Sequence, residues 1–87
     1  MELKDLRVQI DAIDSELIQL FIKRMALSEQ VAVFKKEHDM PIHVPAREQE
    51  ILDYICANVT SEMAPYTQEL YRKIFELSRC YQSKRTL

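Results

Sequence analysis

Apolar residues recur along the first third of the chain at Leu6, Ile10, Ile13, Leu17, Leu20, Leu27, Val31 and Phe34. Their 4-3-4-3 spacing marks one seam of a long α-helix, because positions three and four apart share a helix face. No Pro or Gly interrupts the run, so a helix is predicted from about Leu3 to about Glu37, with Glu2, Asp11, Asp14, Glu16 and Lys23 on its solvent face. At about 1.5 Å per residue it would be roughly 50 Å long, more than a compact domain of this size is wide. The rest of the chain is too short to cover such a seam, which predicts that the helix pairs with its own copy in a second chain.

The rhythm breaks at His38, Asp39, Met40, Pro41, Ile42, His43 and Val44. Pro41 and Pro45 each disfavour helix in the residue before them, so an ordered loop is predicted over 38–44. Pro45 suits a first helical position and opens a second helix to about Asn58, with Ile51, Leu52 and Ile55 on one face and Glu48 at the head of that stripe. A short turn leads to Pro65 and a third helix ending near Lys84. One of its stripes is Leu70, Ile74, Leu77 and Tyr81. The adjacent stripe runs Tyr71, Phe75, Ser78 and Gln82, two aromatics giving way to two neutral hydrogen-bonding groups. Residues 83–87 read as a fraying tail. The expected class is all-α, one domain over residues 1–87 with one long and two shorter helices.

Composition narrows the chemistry. The chain has 87 residues and no Gly, which removes phosphate-cradling loops, dinucleotide fingerprints and tight hairpin turns. A net charge of −2, with acids and bases interleaved except at Lys35-Lys36 and Lys84-Arg85, argues against a nucleic-acid partner. Cys56 and Cys80 form no motif and fall in apolar helical context, so buried or semi-buried thiols of a reducing compartment are expected. The first residues have no apolar signal core and no run approaches a membrane span, so no membrane partner and a cytoplasmic location are expected. His38, Asp39 and His43 lack helical i, i+4 spacing and a fourth ligand, which favours solvated loop histidines and no metal.

Arg24 occupies the seam position between Leu20 and Leu27. A guanidinium does not lose its proton and is costly to bury without an anion, so its placement needs a reason. One reason is a register-setting or snorkelling residue of a coiled coil. The other begins with Ser28 and Lys35, which lie within about 40° of Arg24 on the helix, Lys35 roughly 16 Å along the axis. Two cations along an apolar wall suit a small dianion entering between helices. Arg47 and Glu48, in a first helical turn, are each weak signals alone, the Glu being favoured there by the helix dipole. Ser78 and Gln82 become informative if they face the Arg24 to Lys35 stripe.

Taken together, Leu6-Arg7, Ile10, Ile13, Asp14, Arg24, Lys35, Arg47-Glu48 and the Ser78 to Gln82 ending resemble the all-helical chorismate mutases, small dimeric enzymes and fused domains that convert chorismate to prephenate in phenylalanine and tyrosine biosynthesis. The resemblance covers about residues 3–84. It implies an intertwined homodimer of three-helix chains with two equivalent sites, each closed by Arg7 from the partner's first helix. Helix geometry agrees, since Arg7 lies about 25 Å along a straight helix from Arg24, too far to share a small ligand within one chain. Antiparallel first helices crossing near Leu17 and Ile18 would bring the two together.

The implied reaction is unimolecular and needs no cofactor. Arg7 and Arg24 would clamp the two substrate carboxylates with help from Ser78. Lys35 and Gln82 would donate to the ether oxygen as charge accumulates there. Glu48 would accept from the ring hydroxyl, and Arg47 would add positive potential. Some members carry an acidic residue where this chain has Val44: if that position works through its backbone N–H toward the ring hydroxyl, Val44 serves as well, and if the carboxylate matters, a lower affinity is expected. Two other readings compete: isochorismate pyruvate lyase, of the same fold, and a non-catalytic dimerisation module in which Arg24 and Lys35 set helix register.

Overall fold

The computed structural model describes residues 2–85 as three helices, α1 Leu3–Glu37, α2 Pro45–Asn58 and α3 Ala64–Arg85. The predicted first and second helices and the 38–44 loop have the observed bounds. The third helix starts one residue earlier, with Pro65 inside its first turn, and runs past the expected end. Its end is held by α1. The Tyr81 hydroxyl donates to Glu29 Oε2 at 2.9 Å, and Arg85 Nε lies 3.4 Å from Glu29 Oε1 with its guanidinium over the Tyr81 ring. Residues 83–85 are therefore helix rather than the expected tail, of which Thr86 and Leu87 lie outside the described residues.

Each end of α1 follows from local chemistry. At the start, the Glu2 N–H donates to the Asp5 carboxylate at 3.2 Å, and the acid suits the positive end of the helix dipole. At the end, the Met40 N–H reaches the Lys35 carbonyl at 2.8 Å and the Asp39 N–H reaches that of Lys36 at 3.4 Å. This double closure needs a left-handed residue, and with no Gly in the chain Asp39 supplies it at φ 52°. The helix stops there and the loop turns back.

α3 is the central element. α1 packs along one side and α2 along the other, while α1 and α2 have no Cα atoms within 8 Å of each other. A groove floored by α3 is left between them. The core is small: Leu52, Ile55 and Phe75 are buried, with Ile51, Val59 and Tyr71 packed around them. Ala32 is the buried residue of α1. The α3 stripe that faces inward is Tyr71, Phe75, Ser78 and Gln82, whereas Leu70 and Leu77 of the adjacent stripe are exposed.

The seam of α1 is not covered within the chain. Its members range from 41% exposed at Leu6 to 62% at Ile13 and Leu20. Before Phe21 every described residue of α1 is exposed. The molecule measures 54 × 26 × 15 Å with a radius of gyration of 16.1 Å, against about 12 Å for a compact chain of this length. Cys56 and Cys80 are free and exposed, which corrects the expectation of burial. They sit on outward faces of α2 and α3, where periodicity alone did not separate core from rim. Among the described residues no helix is long and apolar enough to cross a membrane.

Candidate active site

The groove between the C-terminal half of α1, the loop and the start of α2 forms an open cavity of about 320 Å³ above α3. That volume falls at the small end of ligand sites. Arg24, Lys35, Val44, Arg47, Glu48, Ser78 and Gln82 all line it. Every residue expected for the site from sequence is therefore in one cavity except Arg7, which lies on the exposed half of α1.

The two α1 cations are held by neutral acceptors. Arg24 Nη1 donates to Ser78 Oγ at 3.3 Å, and its guanidinium lies 5.8 Å and 5.9 Å from the ring centroids of Tyr71 and Phe75. The aromatic faces hold a half-buried cation without cancelling its charge. Lys35 Nζ donates to the Ile42 carbonyl at 3.1 Å, which ties the loop to α1 beside the cavity. Among the described residues neither cation has a carboxylate within 4 Å. Two such cations give this part of the cavity a positive potential, with Glu48 as the acid in its lining.

α3 contributes buried polar groups. Ser78 and Gln82 are each 7% exposed, and one turn of helix aligns them on the same face. Ser78 accepts from Arg24 and approaches Met25 Sδ at 3.7 Å. Gln82 Nε2 donates to the Ser28 carbonyl at 2.9 Å, which docks the amide against α1. These contacts answer the question the sequence left open, because Ser78 and Gln82 do face the Arg24 to Lys35 stripe.

α2 contributes Arg47 and Glu48 from its first turn, where the Val44 carbonyl accepts from both backbone N–H groups at 3.1 Å and 3.3 Å. Pro45 presets the helical φ for that turn. Arg47 points to the rim, 67% exposed and 3.2 Å from Glu50. Glu48 points inward and accepts a hydrogen bond from Arg79 Nη1, with His43 Nε2 at 3.7 Å from its other oxygen. Arg79 also lines the cavity and was missed in the sequence. Its position four after Phe75 and three before Gln82 was the available signal, since it shares their side of α3.

His38 is not a free loop residue: it caps α1, its ring stacked on Phe34 at 4.0 Å with Nδ1 at 2.8 Å from the Phe34 carbonyl. His43 lies beside Glu48. Among the described residues no group of three or more His, Cys, Asp or Glu is placed to hold a metal.

Comparison with known proteins bears on the family. The chain is 54% identical over 50 residues to the T-protein of Haemophilus influenzae, covering 58% of this chain and 13% of that one. It is 44% identical over 54 residues to the bifunctional chorismate mutase/prephenate dehydratase of Aquifex aeolicus, covering 62% of this chain and 15% of the relative. A chorismate mutase of Methanocaldococcus jannaschii is 37% identical over 54 residues, 62% of this chain and 54% of the relative. The chain thus spans about a seventh of the first two relatives and about half of the third. No solved structure matches it. The family model for chorismate mutase type II matches residues 6–83, nearly the whole chain and all of the cavity-lining residues, and the chain belongs to that family.

Proposed function

We propose that this chain is a chorismate mutase, an isomerase that rearranges chorismate to prephenate in phenylalanine and tyrosine biosynthesis. The observation that carries this reading is the convergence of two cations without carboxylate partners, Arg24 and Lys35, with buried Ser78 and Gln82 and inward-facing Glu48 on one cavity. The working form is an intertwined homodimer of this helical unit, with Arg7 of the partner subunit closing each cavity. The uncovered seam of α1 supports the dimer. Two exposed free thiols suit a reducing compartment, in keeping with a cytoplasmic location.

The rearrangement is unimolecular, so the site has no bond to form with the substrate and no proton it must transfer. What it supplies is conformer selection and stabilisation of charge on the breaking ether bond. Arg24 and the trans Arg7 hold the two carboxylates, which draws the flexible side chain over the ring. Ser78, already bonded to Arg24, keeps that guanidinium aimed and adds a hydroxyl to the clamp. Lys35 and Gln82 donate to the ether oxygen. Its negative charge grows only as the bond stretches, so their contribution is larger in the transition state than in the ground state. Loss of either donor is expected to raise the barrier by about 3 kcal/mol. Glu48 accepts from the ring hydroxyl and orients the ring, with Val44 offering a backbone N–H nearby and Arg47 adding positive potential at the rim.

The test is to mix purified protein with chorismate, follow the loss of its ultraviolet absorbance and identify the product, with Arg24→Ala beside it. Prephenate from the parent and a rate at least about a hundredfold lower from the variant are expected. Pyruvate and salicylate from isochorismate would replace this reading with the lyase. A folded protein inert toward both, in which Arg24→Leu stabilises the assembly, would leave a dimerisation module.

A further inference from the structure

The contact between Arg79 and Glu48 joins α3 to α2 across 31 residues of sequence and lies in the wall of the cavity. Glu48 presents a difficulty for an anion site, because a bare carboxylate beside a bound dianion repels it. Its two oxygens are differently placed. Oε2 accepts from Arg79 Nη1, while Oε1 has His43 Nε2 at 3.7 Å, beyond hydrogen-bonding distance. The side chains are 32% exposed for Arg79 and 24% for Glu48, so the pair is shielded from much of the solvent and from screening by salt.

We propose that Arg79 is a positioning residue for the reaction: by engaging Glu48 Oε2 it directs Oε1 toward the substrate ring hydroxyl and offsets the carboxylate charge that would oppose binding of a dianion. This rests on the chorismate mutase reading above. Arg79 acts through Glu48, and its own contact with the substrate is not required. The planar guanidinium matters as well as the charge, since its N–H directions are fixed by the plane whereas an ammonium rotates freely about its stem.

A double-mutant cycle tests this, with Arg79→Ala and Arg79→Gln each made in the parent and in Glu48→Gln, and with Arg79→Lys for rescue. kcat and KM are measured on chorismate, and thermal unfolding is followed alongside. Arg79→Ala and Arg79→Gln are expected to lower kcat/KM by about ten- to a hundredfold in the parent, the range of a charge-assisted hydrogen bond. In the Glu48→Gln background the same changes should cost less than about twofold, because the group Arg79 acts on is already gone. Arg79→Lys should recover KM more fully than kcat. Equal losses in both backgrounds, or losses that track the unfolding temperature alone, overturn the role of Arg79 while leaving the mutase reading intact. A folded parent without turnover of chorismate overturns both.

Discussion

The two halves of α1 carry one apolar pattern and meet different surroundings. Between Leu3 and Leu20 every residue is exposed, although Leu6, Ile10, Ile13 and Leu17 repeat as regularly as any buried stripe. From Phe21 onward the helix lies on α3, and what it turns inward is Phe21, Arg24, Met25, Ser28, Glu29, Ala32 and Lys35, a stripe with two cations and one acid, the acid paired with Tyr81 of α3. The apolar seam residues thus stay exposed on both halves, while the more polar face is the one packed on α3. The two faces meet at the cavity, where Leu27 and Val31 of the seam join Arg24 and Lys35 in its lining. A mostly apolar groove of about 430 Å³ opens beside it between α1 and α3, with Leu17, Phe21, Leu70 and Ile74 in its walls and Arg24 and Lys73 at its charged positions.

The largest effect should come from the free half. Leu17→Glu places a carboxylate in the middle of the proposed crossing, and burying an unpaired charge there is expected to abolish the dimer. Light scattering would show a monomer and the mutase assay no turnover, because each site would lack its trans Arg7. A Leu17→Glu dimer with full activity would end the division of labour between the halves.

In the packed half, Gln82 offers a sharper test through its neutrality. An amide donates at any pH, so the parent should keep its activity from about pH 5 to 8. Gln82→Glu donates only while protonated, and its carboxyl, buried at this position, should have a raised pKa. The sign follows: activity is present at low pH and falls as pH rises through that pKa, by about a hundredfold between pH 5 and 8. A flat profile in the variant would remove Gln82 from the reacting oxygen.

The smallest effect joins the two halves directly. Arg7→Ala and Arg24→Ala are each expected to be inactive alone. If Arg7 works in trans, mixing them by unfolding and refolding makes half the dimers hybrid, each with one intact site. That should restore about a quarter of parent activity. No recovery would place Arg7 outside the site.

Much of this was legible in the residues. Pro41 within the loop and Pro45 at its end mark it because proline acts on its immediate neighbours, and the run without Pro or Gly through α1 needed no partner to be read. The cavity set was legible in a weaker sense. Arg24 stood out by interrupting its seam, while Ser78 and Gln82 could be named but not aimed. Arg79 escaped because an exposed-looking Arg beside Ser78 is ordinary, and its partner Glu48 lies on another helix. The burial expected for Cys56 and Cys80 failed for a related cause, since both occupy the flank of a helix whose rotation was unknown.

The sequence by itself determined the bounds of α1 and α2, the all-helical class, and the polar residues available for a dianion site. These follow from periodicity, proline and charge, which act within a few residues. Tertiary structure alone decided which stripe of each helix faces inward, that α3 floors a groove α1 and α2 do not close, that Arg79 holds Glu48, and that the seam stays uncovered. Those outcomes depend on rotation about each helix axis, which is set by the joint fit of three helices and the pairing of polar groups between them.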